Sequence, residues 1–403
     1  MSAIPPTQAR PNLLPEPLAA VLSRLTPSDP RFATDFVAAL LRSARDARAS
    51  DIHLTPTGTC CESRWRLDGV LHPLVDLPAE IAPNIVARLK VLAGLLTYET
   101  SLPQEGRIRD TSLNVEVRIS TFPSLHGERV VLRLLGATSE ELTTLTQLGL
   151  PPTVVEELSR QLAATSGAVL IVGPAGSGKT TTAYACLREI VAHSHGGRSI
   201  ASLEDPIEVA VASVAQSQVN PSAGFDMAAG LRSLLRLDPE VIFIGEMRDR
   251  STAETALQSA LTGQLVVTTF HAGNCDDAIH RLVELGIPNY AVHNALRLVV
   301  AQRLVRKLCS CAVAGDPQPN AAAYAMAVNS CRIPIGCEAC HQSGYRGRAL
   351  IAEWRDSTSN DSPIAPRGDD QLWTSATALV EAGITSAQEV FRVLGLRRPT
   401  VKN

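Results

Sequence analysis

The sequence predicts an α/β protein: a parallel sheet covered by helices on both faces, preceded by a smaller α+β domain. Two observations carry this. The short apolar runs AVLIVG (168–173), ASLE (201–204), VIFIGE (241–246) and LVVTTF (265–270) are separated by helical segments. Strands alternating with helices build a parallel sheet buried on both faces. Before them, IHL (52–54), SRWRLDGVL (63–71), NVEVRIS (114–120) and RVVLRLL (129–135) form a strand-rich stretch, with the apolar–polar alternation of half-buried strands in SRWRL and NVEVRIS.

In chain order, residues 1–30 carry many prolines and no periodic pattern, which predicts a mobile tail. Phe32, Phe36, Leu40 and Leu41 recur at helical spacing, and Ala82–Leu96 reads as a second helix. Residues 31–135 are therefore one small domain. The polar, threonine-rich stretch 136–149 is the expected linker, and 150–300 holds the parallel sheet. Residues 301–403 form a C-terminal region with a cysteine-bearing loop, an exposed loop at 356–370 and a last helix near Ala387–Leu394.

Composition narrows the class. The chain has 403 residues, 45% hydrophobic and 19% charged, the balance of a folded globular protein. With 37 basic and 40 acidic residues the net charge is −3, so no global basic field attracts nucleic acid and none is expected as a partner. No apolar run reaches the length that spans a bilayer. The N-terminus lacks the charged and apolar regions of an export signal, and nine scattered cysteines suit reduced thiols in a cytoplasm.

Gly173-Pro174-Ala175-Gly176-Ser177-Gly178-Lys179-Thr180 fits the pattern G-x-x-x-x-G-K-[ST]. Glycines let backbone N–H groups turn inward around phosphate oxygens where a Cβ would clash. Lys179 supplies charge for the β and γ phosphates, the Thr180 hydroxyl is placed to ligate Mg²⁺, and the following helix points its positive end at the anion. The nucleotide-binding set is Gly173, Gly176, Ser177, Gly178, Lys179, Thr180 and Thr181, with ATP and Mg²⁺ as cofactors.

Hydrolysis needs acids on neighbouring strands. Glu246 follows an apolar run and so falls at the carboxyl end of a parallel strand, where ligands gather. There it can hold Mg²⁺ through water or polarise the attacking water. Glu204 and Asp205 end another short strand, and His271 ends a third, placed to sense the γ-phosphate or position water. The bland alternative is that strand ends carry charge because they meet solvent. A lone histidine is usually structural, and His193, His195 and His280 take that reading.

These residues resemble, in order and spacing, the secretion ATPases of type II secretion systems and type IV pili. The resemblance runs through LEDPIE, LRLDPEVIFIGEMRD, TGQLVVTTFHA and AQRLVRKLC. It extends to ASDIHLTP, RWRLDGVL, LPQEGRI, VEVRIST and GERVVLRLL before them, and to GCEACHQSGYRGR and EAGITSAQEVFRVL after them, from about residue 30 to 400. It implies a RecA-like P-loop ATPase domain preceded by a PAS-like domain, and a homo-hexamer. It also implies ATP hydrolysis that drives an inner-membrane platform protein, so that the chain is cytoplasmic and peripheral at that membrane through partners. By motif, Glu204 and Asp205 are the acidic-box pair, Glu246 the Walker B glutamate and His271 the His-box histidine. Arg107, Arg118 and Arg133 match the family's arginine fingers on nucleotide phosphates, their alternative being pairing with surface acids.

The chain departs from the family pattern at Ser101, where arginine is usual, at Gln264, where the His box usually reads TGH, and at Cys275, where a small residue is common. Assembly-type members often bind zinc through two C-x-x-C pairs. Here Cys337 and Cys340 make one half, and Cys309 with Cys311 a tighter C-x-C partner, with Cys331 or His341 as replacements. Structural zinc and metal-free thiols both stay open. The leading expectation is an assembly motor for a pilus or pseudopilus, and a pilus-retraction ATPase is the main rival. A nucleotide-binding regulator with little turnover is the reading from another class. A DNA-transfer motor lacks the basic surplus it would need. With about 30 residues before the PAS-like domain, recruitment through an added N-terminal domain is not expected.

Overall fold

The computed structural model describes residues 18, 29–110, 115–135, 144–317, 321, 324, 326–356 and 371–395. Two compact units emerge, Met1–Glu140 with Gly336–Ser343, and Glu141–Ile335 with Gly344–Asn403.

In the first unit, helix α1 (Phe32–Asp46) leads into strands β1 (Asp51–Pro56), β2 (Cys60–Leu67) and β3 (Val70–Pro78). Helix α2 (Ala82–Leu92) and strands β4 (Gln104–Asp110), β5 (Val115–Ser124) and β6 (Gly127–Leu135) follow. The six strands form one antiparallel sheet in the order β3-β2-β1-β6-β5-β4. The stretch read as SRWRLDGVL is a hairpin. Asp68 and Gly69 both take positive φ, 47° and 85°, the requirement of a tight two-residue turn whose twist matches the strands. Alternation sends Ile52, Leu54, Trp65, Val117, Ile119, Val130 and Leu132 into a core with Phe36, Leu40, Ile85 and Leu89 of the helices. The tail expected over 1–30 lies largely outside the described residues, but Leu18 within it is buried in this core.

In the second unit, α3 (Pro152–Leu162), β7 (Gly167–Val172), α4 (Lys179–Ser194), β8 (Ile200–Glu204), β9 (Ala215–Gln218) and α5 (Met227–Leu234) come first. Then follow β10 (Val241–Ile244), α6 (Arg250–Thr262), β11 (Leu265–Phe270), α7 (Cys275–Glu284), α8 (Asn289–Ala295) and β12 (Leu296–Leu308). A small ribbon, β13 (Val313–Gly315) with β14 (Cys331–Ile333), precedes β15 (Tyr345–Asp356), α9 (Gln371–Glu381) and α10 (Ala387–Leu394). The seven-stranded sheet runs β15-β12-β7-β11-β10-β8-β9, parallel throughout except for the β12–β15 pair.

Because a pleated strand alternates its faces, Ala168, Leu170 and Val172 of β7 meet the core under α5–α8, while Val169 and Ile171 meet α3 and α4. The sheet is covered on both faces, as the sequence predicts. The expected boundary at residue 300 falls inside β12, whose 13 residues join the central sheet to β15. The C-terminal region is thus part strand, with α9 and α10 packing Trp373, Val380 and Val390 against Val305 and Ile351. In the linker stretch, 136–143 lies outside the described residues, and Leu145 and Leu148 are buried in the second unit's core. Among the described residues no helix is long and apolar enough to cross a membrane.

One buried charge ties the first unit together. Lys90 of α2 is 1% exposed and pairs with Glu128 of β6 at 2.5 Å, while donating to the Glu99 carbonyl at 2.7 Å. Removing one partner strands a charge in the core. Lys90→Met is expected to cost about 3 kcal/mol in urea unfolding. The double variant Lys90→Met/Glu128→Leu should recover most of that loss, and additive losses would contradict the pairing.

Candidate nucleotide site

The phosphate loop is built where β7 hands over to α4. Gly176 and Gly178 take φ of 74° and 87°, open to glycine and strained for other residues, and Gly178 caps α4. Gly173 is required by space as well: a Cβ there would overlap Ser177 Oγ and lie 2.6 Å from the Gln302 carbonyl oxygen. Lys179 is buried and donates to the carbonyls of Gly173 and Pro174 at 2.9 and 3.0 Å, so its ammonium sits inside the loop. Burial lowers its pKa, Glu246 raises it and Arg303 lowers it. Thr180 and Thr181 are half-buried on the first turn of α4. Ser177 Oγ is buried with no hydrogen-bond partner beside this concave backbone. A loop turned by positive-φ glycines, a buried ammonium and a threonine at a helix start fit a nucleoside triphosphate with Mg²⁺.

The neighbouring strands bring the acids to the same edge. In β7-β11-β10-β8, consecutive strands pair in parallel, so all four end on one side of the sheet. They end respectively in the phosphate loop, His271, Glu246 and Glu204. Glu246 Oε1 lies 2.5 Å from His271 Nε2, and its Oε2 accepts from Arg248 Nε at 2.6 Å. Glu204 is buried, 2% exposed. Its Oε2 accepts from the Tyr184 hydroxyl at 2.5 Å, and its Oε1 from Ser202 Oγ at 2.6 Å and Gln216 Nε2 at 2.9 Å. Asp205, the next residue, is exposed.

Several of these contacts are invisible to sequence motifs. Tyr184, Ser202, Gln216 and Arg248 hold the acids, and Gln302 of β12 donates to the Ser177 carbonyl at 2.8 Å from behind the loop. Two had a signal available: Ser202 lies two residues before Glu204 and so shares its face of β8, and Tyr184 lies one helical turn after Thr180.

In the first unit, Arg107, Arg118 and Arg133 are directly opposite one another on β4, β5 and β6. Like charges in register repel, and each finds an acid: Glu116 at 3.2 Å, Glu105 at 2.6 Å and Asp51 at 3.0 Å. The alternative of surface pairing therefore holds for all three. Yet the row leaves them 51%, 46% and 66% exposed, a line of guanidinium groups able to meet a polyanion.

The departures from the family pattern lie off the site or are satisfied locally. Gln264 precedes β11 and His271 follows it, so the strand's rise separates them by roughly 20 Å. Ser101 bonds Glu99 at 2.6 Å. Cys275 is buried at the start of α7 with its thiol on the Val299 carbonyl at 3.4 Å, and burial raises its pKa.

Cys309, Cys311, Cys337 and Cys340 bring their thiols within 4.8 Å of one another, a group that could hold a metal ion. The Cys337 and Cys340 sulfurs are 3.7 Å apart, close to the roughly 3.8 Å edge of a tetrahedron with zinc–sulfur bonds of about 2.3 Å. Cys331 is not in the group; its thiol bonds the Gly315 carbonyl at 3.6 Å. Nor is His341 a member.

The profile of the family described as Type II/IV secretion system protein matches residues 28–392. The chain is 39% identical over 322 residues to the putative type II secretion system protein E of Escherichia coli K12, covering 78% of this chain and 64% of that protein. It is 37% identical over 335 residues to the type IV pilus assembly ATPase PilB of Thermus thermophilus, covering 81% of this chain and 37% of that one. It thus spans less than two thirds of either relative. The solved ATPase DotB of Yersinia pseudotuberculosis shares the fold, with a TM-score of 0.64 at 21% identity over 92% of this chain and 95% of that chain.

Proposed function

This chain belongs to the type II/IV secretion system protein family, a family with named ATPases, and we propose that it hydrolyses ATP to power assembly of a type IV pilus or type II secretion pseudopilus. The observation that carries the proposal is the order of strand ends: phosphate loop, His271, Glu246 and Glu204 on four adjacent parallel strands. A site that only held nucleotide would have no need of two shielded carboxylates beside the loop.

Lys179 takes the charge of the β and γ phosphates, and Thr180 would hold Mg²⁺ through its hydroxyl, a metal that would supply charge neutralisation at the transferring phosphate. Both oxygens of Glu246 are engaged by His271 or Arg248, so this carboxylate would hold the metal through water rather than directly. Glu204 keeps room for one more donor on Oε2, so it is assigned as the base that takes a proton from the attacking water. Gln264, one of the departures from the family pattern, stands at the far end of β11 from this chemistry. The other suspected departure, Ser101, is bonded to its own neighbour.

On the same reading the second unit is RecA-like and the first PAS-like, and the chain works as a homo-hexamer. Arg107, Arg118 and Arg133 then serve nucleotide phosphates within the ring. The hexamer acts on an inner-membrane platform protein, which places this chain in the cytoplasm, peripheral to that membrane. The cysteine group is assigned as a structural zinc site, since four protein ligands leave no position for a substrate.

Two measurements test these assignments. Phosphate release from MgATP should fall at least about 100-fold in Glu246→Gln relative to the unaltered chain, and equal, negligible rates in both would sink the motor assignment. Elemental analysis should find about one zinc per chain, lost in Cys337→Ser/Cys340→Ser; a fully folded, metal-free protein would contradict the zinc assignment.

A further inference from the structure

The helix that starts the phosphate site also carries a polar group that the chemistry above leaves unused. Tyr184 lies on α4, one turn after Thr180, and is 3% exposed against Phe243 of β10, ring centroids 5.9 Å apart. Its hydroxyl donates to Glu204 Oε2 at 2.5 Å and accepts the Glu208 backbone N–H at 3.1 Å. One oxygen atom therefore joins the phosphate-loop helix, the acid at the end of β8 and the segment that follows it.

A carboxylate offers about four lone-pair sites. Ser202 and Gln216 fill two on Oε1, and Tyr184 fills one on Oε2. Without the Tyr184 hydroxyl, Oε2 would have no side chain fixing its orientation. Burial and the bond to Glu204 raise the Tyr184 pKa well above its ordinary value, so the group remains a donor across the working range.

We propose that Tyr184 is a positioning residue for ATP hydrolysis, aiming the remaining acceptor site of Glu204 at the attacking water and coupling that aim to the phosphate loop. This rests on the assignment of Glu204 as the base. In the step, the water oxygen forms a bond to the γ-phosphorus. The bond from that phosphorus to the β–γ bridging oxygen breaks, its electron pair leaving on the diphosphate, and the water proton passes to Glu204. Because Thr180 and Tyr184 are one turn apart on a single helix, a shift of the helix start as phosphate is gripped moves the hydroxyl with it. Tyr184 touches no substrate atom; it acts through Glu204.

The test compares the full-length chain, Tyr184→Phe, Ser202→Ala and Glu204→Gln in phosphate release over a range of MgATP, with affinity for a fluorescent ATP analogue and melting temperature measured alongside. Losing one hydrogen bond to a charged group predicts a kcat about tenfold lower in Tyr184→Phe, with KM and analogue affinity within about twofold. Ser202→Ala likewise deletes one hydroxyl, a donor to the other oxygen, and should show the same split. Wild-type kcat in Tyr184→Phe, or a loss expressed in KM and affinity instead, overturns the role of Tyr184. A Glu204→Gln chain as active as wild type would instead remove the premise, so the two failures are distinguishable.

Discussion

Parallel strands cannot be joined by a tight turn, so each crossover returns the chain to start the next strand from the same side. Every carboxyl end then lies along one edge. In this chain the edge of β7, β11, β10 and β8 decides the chemistry. Residues from 173 to 271 meet there because the hydrogen-bond register allows no other arrangement of their strand ends. The burial of all six residues of β7 and of β11 anchors that register, since slipping either by one residue would exchange the side chains packed on the two faces.

The edge is also where the protein tolerates charge. Lys179 and Glu204 are both nearly inaccessible, and each is matched by polar partners: loop carbonyls for the ammonium, three donors for the carboxylate. Unmatched, each would carry a desolvation cost of several kcal/mol. A phosphate arriving at the loop offers Lys179 a better partner than its own backbone, so nucleotide binding and rearrangement of the loop are linked. The first unit solves a related problem on an open sheet face, where three in-register arginines are each held by an acid yet stay half exposed.

Much of this was legible in the sequence because it is local. LVVTTF maps onto β11 residue for residue and Ala387–Leu394 onto the last helix, since apolar runs and caps act over a few residues. The phosphate loop was legible because its geometry demands particular glycines. Less legible was whatever depends on distant partners. Tyr184 and Glu204 are 20 residues apart and meet only across α4 and β8. The polar strand β9 has no apolar pattern to betray it, and it exists because β8 offers an edge. Strand β12 runs through residue 300 because its apolar start pairs with β7 while its motif-bearing end continues alongside β15, a partner far along the chain. The three arginines stand in recognisable motifs, but their alignment in one row is a matter of register.

The central claim is that Lys179, Thr180, Glu204, Glu246 and His271 form one nucleotide site at this edge. Calorimetric titration of the intact chain with MgATP, against Lys179→Ala, tests it most directly. The account predicts binding that weakens at least about tenfold when the ammonium is lost, as expected for a charge-assisted contact. Equal affinity in the two proteins, or no binding by either, would contradict it.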